Sequence, residues 1–517
     1  MRPDILIVMA DQMTPAALPF HGNPVTRTPA MSWLADSGVV FDAAYTASPL
    51  CSPGRASFMT GLLPSRTRTY DNAAEFTSEI PTFAHYLRSA GYRTVLSGKM
   101  HFCGPDQLHG FEERLTTDIY PADYGWTPDW GRPHQRPSWY HDMSSVIQAG
   151  PCVRSNQLDF DDEVAFAAER SLFGHIRSAD DRPFCYVVSF SHPHDPFTIP
   201  RKWWDLYRDE DIPMPSADSS PLQPHERRLR EICAMDNVEV TQDQVRAARR
   251  AYYGAISYVD DHISRLIGLL QETGRLDRTV IIVTSDHGEM LGERGAWYKM
   301  SFYEGSARVP LVIRAPALFP PGRVAAPVST MDLLPTLAGL AGSSDRMVGP
   351  VDGRSLLPHL SGTPDRDEVT AEYLAEGAIA PIVMIRRGRY KFVHSPTDPD
   401  QLFDLAADPG ERANLASSSA GLTAEFRREV AARWDLTTLD RDVRQSQQRR
   451  MAVSKALGTG TQTPWDFAPA YDASHRYIRN HMDLARLEEM ARFPRPAGAW
   501  HPATRQDSGN GPSAGDG

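Results

Sequence analysis

Four short apolar runs, each followed directly by polar residues, mark the chain. They cover residues 4–10, 93–96, 184–190 and 279–284. Such runs predict strands that are buried on both faces, as in parallel sheets. Segments with helical spacing lie between and after them, at residues 81–90, about 243–273 and 331–340. This alternation predicts an α/β fold with a large mixed, mostly parallel sheet flanked by helices.

Residues that can bind ions or move protons follow each of the four strands. In chain order they are Asp11-Gln12, Lys99-Met100-His101, His192-Pro193-His194 and Asp286-His287. The carboxyl ends of parallel strands meet at one edge of a sheet, where ligands gather. The sequence therefore predicts a single site at that edge.

The pattern changes beyond about residue 365. Residues 382–393 predict two antiparallel strands around a turn, and residues 420–434 predict a helix that packs on them. Later residues are polar, and the last ones are rich in Gly, Ser, Asp and Asn. The predicted parts are a large domain over 1–365, a C-terminal α+β subdomain over 366–436, an extension over 437–504 and a disordered tail over 505–517.

The composition limits the classes of partner that the protein is expected to bind. The 54 Lys and Arg against 65 Asp and Glu give a net charge of −11, which argues against nucleic acid or a membrane surface. Five cysteines, an odd and sparse count, do not form a disulfide framework. The N-terminus lacks a signal-peptide pattern, and no apolar run reaches the length of about 18 residues that spans a membrane. We therefore expect a cytoplasmic protein.

The most specific local signal is the segment Cys51-Ser52-Pro53-Gly54-Arg55, of the form Cys-x-Pro-x-Arg. It precedes a helical stretch over residues 55–60. A cysteine at a helix N-terminus beside an arginine has a lowered pKa and raised reactivity. Taken alone, the segment also fits a buried cysteine in a proline-containing turn.

With the following Ala56-Ser57-Phe58-Met59-Thr60-Gly61, this motif resembles the signature of the sulfatase family. The resemblance implies an alkaline-phosphatase-like fold, with the sulfatase catalytic domain over 1–365. It also implies that Cys51 is oxidised to formylglycine, an aldehyde, by a formylglycine-generating system that reads the Pro and the Arg. The matching catalytic positions are Cys51, Arg55, Lys99, His101, His194 and Lys299.

Further segments resemble the bacterial choline sulfatases, a group within this family. They are residues 71–76, 98–102, 111–118, 125–130, 297–304 and 476–484. The similarity extends to about residue 497. It implies choline sulfate, a small-molecule sulfate ester, as the substrate. It also implies a homo-oligomer, with a tetramer favoured, in which the C-terminal segment makes contacts between subunits.

In the family's mechanism, one hydroxyl of the formylglycine hydrate at position 51 attacks sulfur and gives a covalent sulfo-enzyme. Deprotonation of the second hydroxyl expels sulfate, and His101 is the candidate base. Arg55 would hold the hydrate by charge-assisted hydrogen bonds.

Three further residues would act on the substrate itself. Lys99 and Lys299 would neutralise the sulfuryl oxygens as point charges. Choline leaves as an aliphatic alkoxide, which is a poor leaving group and needs a proton. His194, assisted by Lys299, is the candidate general acid. Two of the five lysines of the chain thus fall on catalytic positions.

The resemblance also implies one divalent metal ion acting as a Lewis acid. Its ligands would be Asp11, Gln12, Asp286, His287 and position 51. The commoner sulfatase pattern has Asp where this chain has Gln12, and usually Asn where it has His287. Calcium is the expected ion, but less charge and an imidazole leave manganese or magnesium open. Taken alone, the segment at 286–288 also fits a turn after a strand.

Recognition of a quaternary ammonium group needs aromatic faces and a carboxylate. Trp126 is the candidate aromatic, with Asn72 and His141 nearby by resemblance, and Glu376 is the candidate carboxylate. Trp126 also fits a packing residue in a loop rich in Pro and Trp. Asp161-Asp162-Glu163 is interpreted as an acidic cluster at a helix start.

Two other functions remain open at this stage. The same scaffold serves aryl sulfates and phosphate or phosphonate monoesters. A protein of a different class, a non-catalytic binder of quaternary ammonium compounds, would keep Cys51 as a thiol. The presence of the full set Lys99, His101, His194, Asp286 and Lys299 argues against the binder, because a protein without catalysis would be expected to have lost some of them.

Overall fold

The structure is a computed structural model that describes residues 2–216, 220–363, 367–462, 464–470 and 483–494. The predicted tail at 505–517 lies outside the described residues, as does most of the segment 476–484. The strands are β1 (Asp4–Ala10), β2 (Val39–Phe41), β3 (Ala44–Tyr45), β4 (Arg93–Gly98), β5 (Glu113–Arg114), β6 (Gly150–Cys152), β7 (Phe184–Phe190), β8 (Thr198–Pro200), β9 (Thr279–Thr284), β10 (Arg308–Val309), β11 (Leu311–Arg314), β12 (Gly322–Val324), β13 (Val328–Ser329), β14 (Glu368–Tyr373), β15 (Ile382–Arg387), β16 (Tyr390–His394) and β17 (Gln401–Asp404).

The helices range from single turns to 31 residues. They are α1 (Pro29–Ser37), α2 (Cys51–Thr60), α3 (Pro64–Thr67), α4 (Phe83–Ser89), α5 (Ser144–Ile147), α6 (Asn156–Arg177), α7 (Arg201–Trp204), α8 (Pro224–Ile232), α9 (Gln242–Glu272), α10 (Glu304–Ala307), α11 (Leu333–Leu340), α12 (Leu357–Leu360), α13 (Ala420–Arg433), α14 (Leu436–Leu457) and α15 (Leu484–Ala491). Residues up to Glu169 and from Arg182 to Pro469 form the main unit, and α15 belongs to a small second unit.

An eight-stranded sheet with the order β12-β2-β11-β9-β1-β7-β4-β5 organises the main unit. Strands β9, β1, β7, β4 and β5 are parallel, whereas β11 runs antiparallel to both of its neighbours. The predicted mixed, mostly parallel sheet is therefore confirmed. Strands β1, β7 and β9 cover the predicted residues, and β4 runs on to Gly98.

Burial explains why these strands could be predicted from the sequence. Every residue of β1, β7 and β9 is buried, because helices cover both faces of the sheet. Helix α9 buries a face that includes Tyr252, Ile256, Val259 and Ile263, which recur at helical spacing. Among the described residues, no helix combines the length and apolar character needed to cross a membrane.

A separate antiparallel sheet has the order β14-β15-β16-β17. Phe426 and Val430 of α13 pack on Val383, Ile385 and Phe392 of this sheet and form a small core of their own. This confirms the predicted hairpin and the helix that covers it. Helix α14 follows directly and lies within the predicted extension.

Candidate active site

The carboxyl ends of β1, β4, β7 and β9 meet at one edge of the sheet, as predicted. Because β7 and β9 both pair with β1 and β4 pairs with β7, the loops after these strands are neighbours. Helix α2 points its first residue at the same place. One side-chain atom from each of Asp11, Cys51, Asp286 and His287 lies within 4.8 Å of the other three.

Cys51 is the first residue of α2, and its preceding residue, Leu50, is extended and serves as the N-cap. The Cys51 Sγ lies 3.2 Å from Nε2 of His287 and 3.5 Å from Nζ of Lys99. Burial alone raises the pKa of the thiol, but the charges of Lys99, Lys299 and His287 outweigh it, so the pKa lies well below its usual value. The site thus stabilises negative charge at position 51.

Arg55 lies one turn after Cys51 on the same face of α2 and is fully buried. Its Nε donates to Oδ2 of Asp286 at 2.7 Å, and its Nη2 lies 3.4 Å from Oδ2 of Asp11. A side chain at Gly54 would place its Cβ 2.9 Å from the Ser48 carbonyl oxygen and 3.1 Å from that of Asp286. Glycine therefore lets α2 approach the loop after β9, and Arg55 is directed at the two carboxylates.

The four grouped residues suit a divalent cation. Two carboxylates and an imidazole are hard and borderline ligands, and Sγ of Cys51 occupies the position of the oxygen that formylglycine would carry. Oδ1 of Asp11 is buried and has no hydrogen-bond partner among the described residues. Arg55 and Lys99 neutralise the same carboxylates from the protein side.

Gln12, the fifth predicted ligand, is fully buried beside this group and held on every side. Its Oε1 accepts a hydrogen bond from Nζ of Lys299 at 2.5 Å. Its Nε2 donates to Glu289 and lies 3.4 Å from Oδ1 of Asp195. Its backbone N–H donates to Oδ1 of Asp286 at 3.1 Å.

Lys299 and His194 form a pair beside Gln12. Nζ of Lys299 lies 2.8 Å from Nε2 of His194, and Nδ1 of His194 lies 2.7 Å from the carbonyl oxygen of Asp195. Tyr298 and Met300, on either side of Lys299, have φ values of 69° and 76°. Such left-handed backbone is costly for side chains of this size and persists only where surrounding contacts impose it.

His101 is 1% exposed, and neither of its ring nitrogens has a hydrogen-bond partner among the described residues. Its ring packs at 5.1 Å from that of Tyr120 and at 5.9 Å from that of Trp126. Asp118 holds the loop after β4 in place, accepting from the backbone N–H groups of Met100 and His101 at 2.9 Å each. The imidazole is therefore oriented with its polar atoms free.

A cavity of about 340 Å³ opens onto Cys51. Trp126 and Trp139 stack in it with their ring centres 5.8 Å apart, and Tyr120 meets Trp126 edge-on at 5.1 Å. The aromatic rings adjoin the catalytic residues, because the Tyr120 OH lies 3.5 Å from Nε2 of His194. The lining also includes Asn72, Tyr140, His141 and Asp195.

The four predicted substrate-binding residues are placed differently. Trp126, Asn72 and His141 line the cavity. Oδ1 of Asn72 accepts from the Ser52 N–H at 3.0 Å, which ties it to α2. His141 stacks on Tyr298 at 4.4 Å and lies 3.3 Å from Oδ2 of Asp195.

Glu376 is not among the lining residues. It is 3% exposed, and neither carboxylate oxygen has a hydrogen-bond partner among the described residues. Burial, reinforced by Asp71, raises the pKa of Glu376 to about 8. The Tyr373 OH donates to the carbonyl oxygen of Glu376 at 2.7 Å. Burial and the charge of Glu376 together raise the pKa of Tyr140, which does line the cavity.

Several contributing residues were not identified from the sequence: Tyr120, Trp139, Tyr140, Asp195, Glu289 and Arg450. Arg450 of α14 forms a two-pronged ion pair with Asp71, the residue before Asn72, at 2.6 and 2.7 Å. Asp161, interpreted as part of an acidic cluster at a helix start, lies in the second turn of α6, and its carboxylate accepts from the backbone N–H groups of Ser191 and His192. The only sequence signal for Asp195 was its place in the polar segment after β7.

Comparison with known proteins shows which class of protein has this arrangement of residues. The sulfatase family model matches residues 3–343, and the model described as "Choline sulfatase enzyme C terminal" matches residues 441–493. The chain is 51% identical to a choline-sulfatase of Rhizobium meliloti (strain 1021), over 96% of this chain and 99% of that one. It is 29% identical to an arylsulfatase of Clostridium perfringens, over 81% and 91%.

Among solved structures, a phosphonate monoester hydrolase of Agrobacterium radiobacter superposes with a TM-score of 0.67 at 26% identity, over 83% of this chain and 95% of that one. The fold and the site therefore define an alkaline-phosphatase-like hydrolase, as expected from the motif. Within that class the chain belongs to the sulfatase family. It is an enzyme that hydrolyses sulfuric esters.

Proposed function

We propose that this sulfatase hydrolyses choline sulfate to choline and sulfate, with position 51, as formylglycine, acting in covalent catalysis. One observation carries the proposal: a single cavity joins Cys51 to the aromatic rings of Trp126 and Trp139. The 51% identity to a choline-sulfatase over nearly the whole chain supports the same substrate.

At the reacting end, Lys99 and Lys299 offer cationic Nζ atoms to the sulfuryl oxygens. Nζ of Lys299 donates to Nε2 of His194 beside the cavity, and this pair would supply the proton that the departing alkoxide takes up. The free ring nitrogens of His101 would accept a proton at position 51. The hydrated aldehyde supplies an oxygen nucleophile at neutral pH.

Asp11, Asp286 and His287 would hold a divalent cation, with Gln12 beside them, and Arg55 fixes the two carboxylates. The ion would act as a Lewis acid toward the reacting oxygens. Calcium remains our prediction for its identity.

At the substrate end, the choline group needs an aromatic surface and a negative charge. Its trimethylammonium group has no N–H and so cannot donate a hydrogen bond. Trp126 and Trp139 present ring surface to the cavity, whereas Nζ of Lys99 already lies over the ring of Tyr120 at 4.2 Å. A cation over such a ring gains about 0.5 to 2 kcal/mol. Glu376, neutral at pH 7 without a ligand because its pKa is about 8, would ionise next to a bound cation.

The test compares kcat/KM for choline sulfate, 4-nitrophenyl sulfate and a phenyl phosphonate ester, together with peptide mass analysis around residue 51. We expect choline sulfate to be preferred and position 51 to carry an aldehyde. A preference for the aryl sulfate or the phosphonate by orders of magnitude would refute the choline assignment. A thiol alone at position 51 in active enzyme from the native host would refute the formylglycine mechanism.

The domain bounds 1–365, 366–436, 437–504 and 505–517 stay predictions, as does the homo-oligomer. Helix α14 gives the proposed extension a second role, because its Arg450 supports the loop that carries Asn72. Loss of the extension would therefore affect the substrate end as well as any contact between subunits.

A further inference from the structure

Glu289 lies two residues beyond His287, is 1% exposed, and has no role in the mechanism above. Its Oε1 accepts from the backbone N–H groups of Leu291 and Tyr298 at 2.8 and 2.7 Å. Its Oε2 accepts from Nε2 of Gln12. The carboxylate therefore joins two elements of the active site, the loop after β1 and the segment that carries Lys299.

The amide of Gln12 can satisfy its surroundings in one orientation only. Its oxygen faces the ammonium of Lys299, and its nitrogen faces the carboxylates of Glu289 and Asp195. The opposite orientation would set NH₂ against NH₃⁺ and a carbonyl oxygen against two carboxylates. An aspartate at position 12 would likewise present only acceptors to them. Gln at position 12, where the commoner family pattern has Asp, therefore complements the carboxylate of Glu289.

Glu289 acts on the position of Lys299 indirectly, through two neighbouring groups. Its Nζ contacts the amide that Glu289 orients, and its backbone follows Tyr298, whose N–H donates to Glu289. The φ values of Tyr298 and Met300 show that this segment has an unfavourable backbone that needs such contacts.

We propose that Glu289 is a positioning residue that sets the orientation of the Gln12 amide and, through it, the place of Lys299 beside His194. The requirement is one of polarity: of positions 12 and 289, one must be an amide and the other a carboxylate. This rests on the proposed role of Lys299 in catalysis, and not on which sulfate ester is the substrate.

The polarity rule can be tested by exchanging the two side chains. In the double variant Gln12→Glu with Glu289→Gln, the amide at 289 donates to the carboxylate at 12, which still accepts from Lys299. The carbonyl oxygen at 289 still accepts from Leu291 and Tyr298. Each single variant instead leaves two donors or two acceptors facing each other in a buried site.

We expect each single variant to lower kcat/KM roughly 10- to 100-fold on the sulfate ester that the parent hydrolyses best, with saturating metal. We expect the double variant to be clearly more active than the Gln12→Glu single variant but less active than the parent, because the new carboxylate at position 12 still faces Oδ1 of Asp195. Losses that simply add in the double variant, or a Glu289→Gln variant with parental kcat/KM, would overturn the proposal.

Three further measurements keep the result unambiguous. Lys299→Met tests the premise: if it retains parental activity, Lys299 is not catalytic and the positioning role falls with it. Glu293→Gln, a change at a more exposed glutamate in the same segment, should leave kcat/KM within about twofold. Melting temperatures separate a folding defect from misplacement, because Glu289→Gln, not Gln12→Glu, is the variant expected to stay folded.

Discussion

The metal and nucleophile end of the active site and its aromatic end are built in different ways. At the first, Asp11, Asp286 and His287 lie within three residues of the ends of buried strands, and opposite charges lie within contact distance. At the second, the aromatic residues come from loops, and Glu376 carries a carboxyl without a partner among the described residues.

The difference shows which side chains the sheet positions and which side chains come from loops. Strand ends place a few polar atoms with little freedom, which suits the reacting end of the site. Loops tied down by side chains such as Arg450 and Asp118 can vary with the substrate. An incompletely paired carboxyl is tolerable there because a cationic ligand would complete it.

The largest expected effect is at the metal and nucleophile end and does not depend on the substrate. Cys51→Ala should lower kcat at least about 1,000-fold on choline sulfate and on 4-nitrophenyl sulfate alike, because it removes the nucleophile. Steady-state kinetics check this, and Cys152→Ser, at a half-buried free thiol, is the matched control. Equal losses in both variants would contradict a special role for position 51.

A smaller and selective effect is expected at the aromatic end. Trp126→Ala should lower kcat/KM for choline sulfate roughly 10-fold, the value of one cation–π contact. It should change kcat/KM for 3,3-dimethylbutyl sulfate, in which an uncharged tert-butyl group of the same shape replaces the trimethylammonium group, less than about threefold. Trp33→Ala, at an exposed tryptophan that does not line the cavity, is the control. Equal losses on both esters would mean that Trp126 only packs.

The smallest effect concerns stability and the unpaired carboxyl. Because burial raises the pKa of Glu376 to about 8, the folded chain holds a proton there that the unfolded chain has already lost above about pH 4.5. Its contribution to stability is full below that pH and is lost as the pH rises through about 8. The free energy of unfolding should fall by at most about 1.4 kcal/mol per pH unit in this window.

Glu376→Gln mimics the neutral carboxyl and should remove this slope. The melting temperature of the variant relative to the parent should therefore rise by a few degrees between pH 5 and pH 8 in the absence of ligand. Glu425→Gln, on the surface helix α13, should show no such trend. A difference that stays flat for Glu376→Gln across this range would mean that the carboxyl is already ionised at pH 5.

The two ends also differ in how much the sequence revealed. Strands β1, β7 and β9 were predicted with their observed bounds because burial on both faces leaves an uninterrupted apolar run. The polar residues at their ends followed from chain position alone. By contrast, Tyr120 and Trp139 lie in irregular loops with no periodicity, and only tertiary structure brings them beside Trp126.

Glu289 shows a third reason why a functional residue could not be predicted from the sequence. It directly follows a recognised motif, but its importance comes from contacts with Gln12 and Tyr298, which are distant in sequence or separated by a turn. Helix α2 likewise begins at Cys51 and not at residue 55, because its first turn contains a proline, which suits a helix start but weakens a helical pattern.

All ten residues of α2 are buried, including the Cys-x-Pro-x-Arg segment at its start. A protein catalyst that recognises Pro53 and Arg55 has no access to them once α2 has packed and Arg55 has paired with Asp11 and Asp286. If Cys51 is oxidised as proposed, the oxidation must therefore come before folding. The share of active molecules in a cell would be decided during synthesis, by a race between the modifying system and the closing of the sheet edge. A chain that folds first stays a thiol for as long as it remains folded.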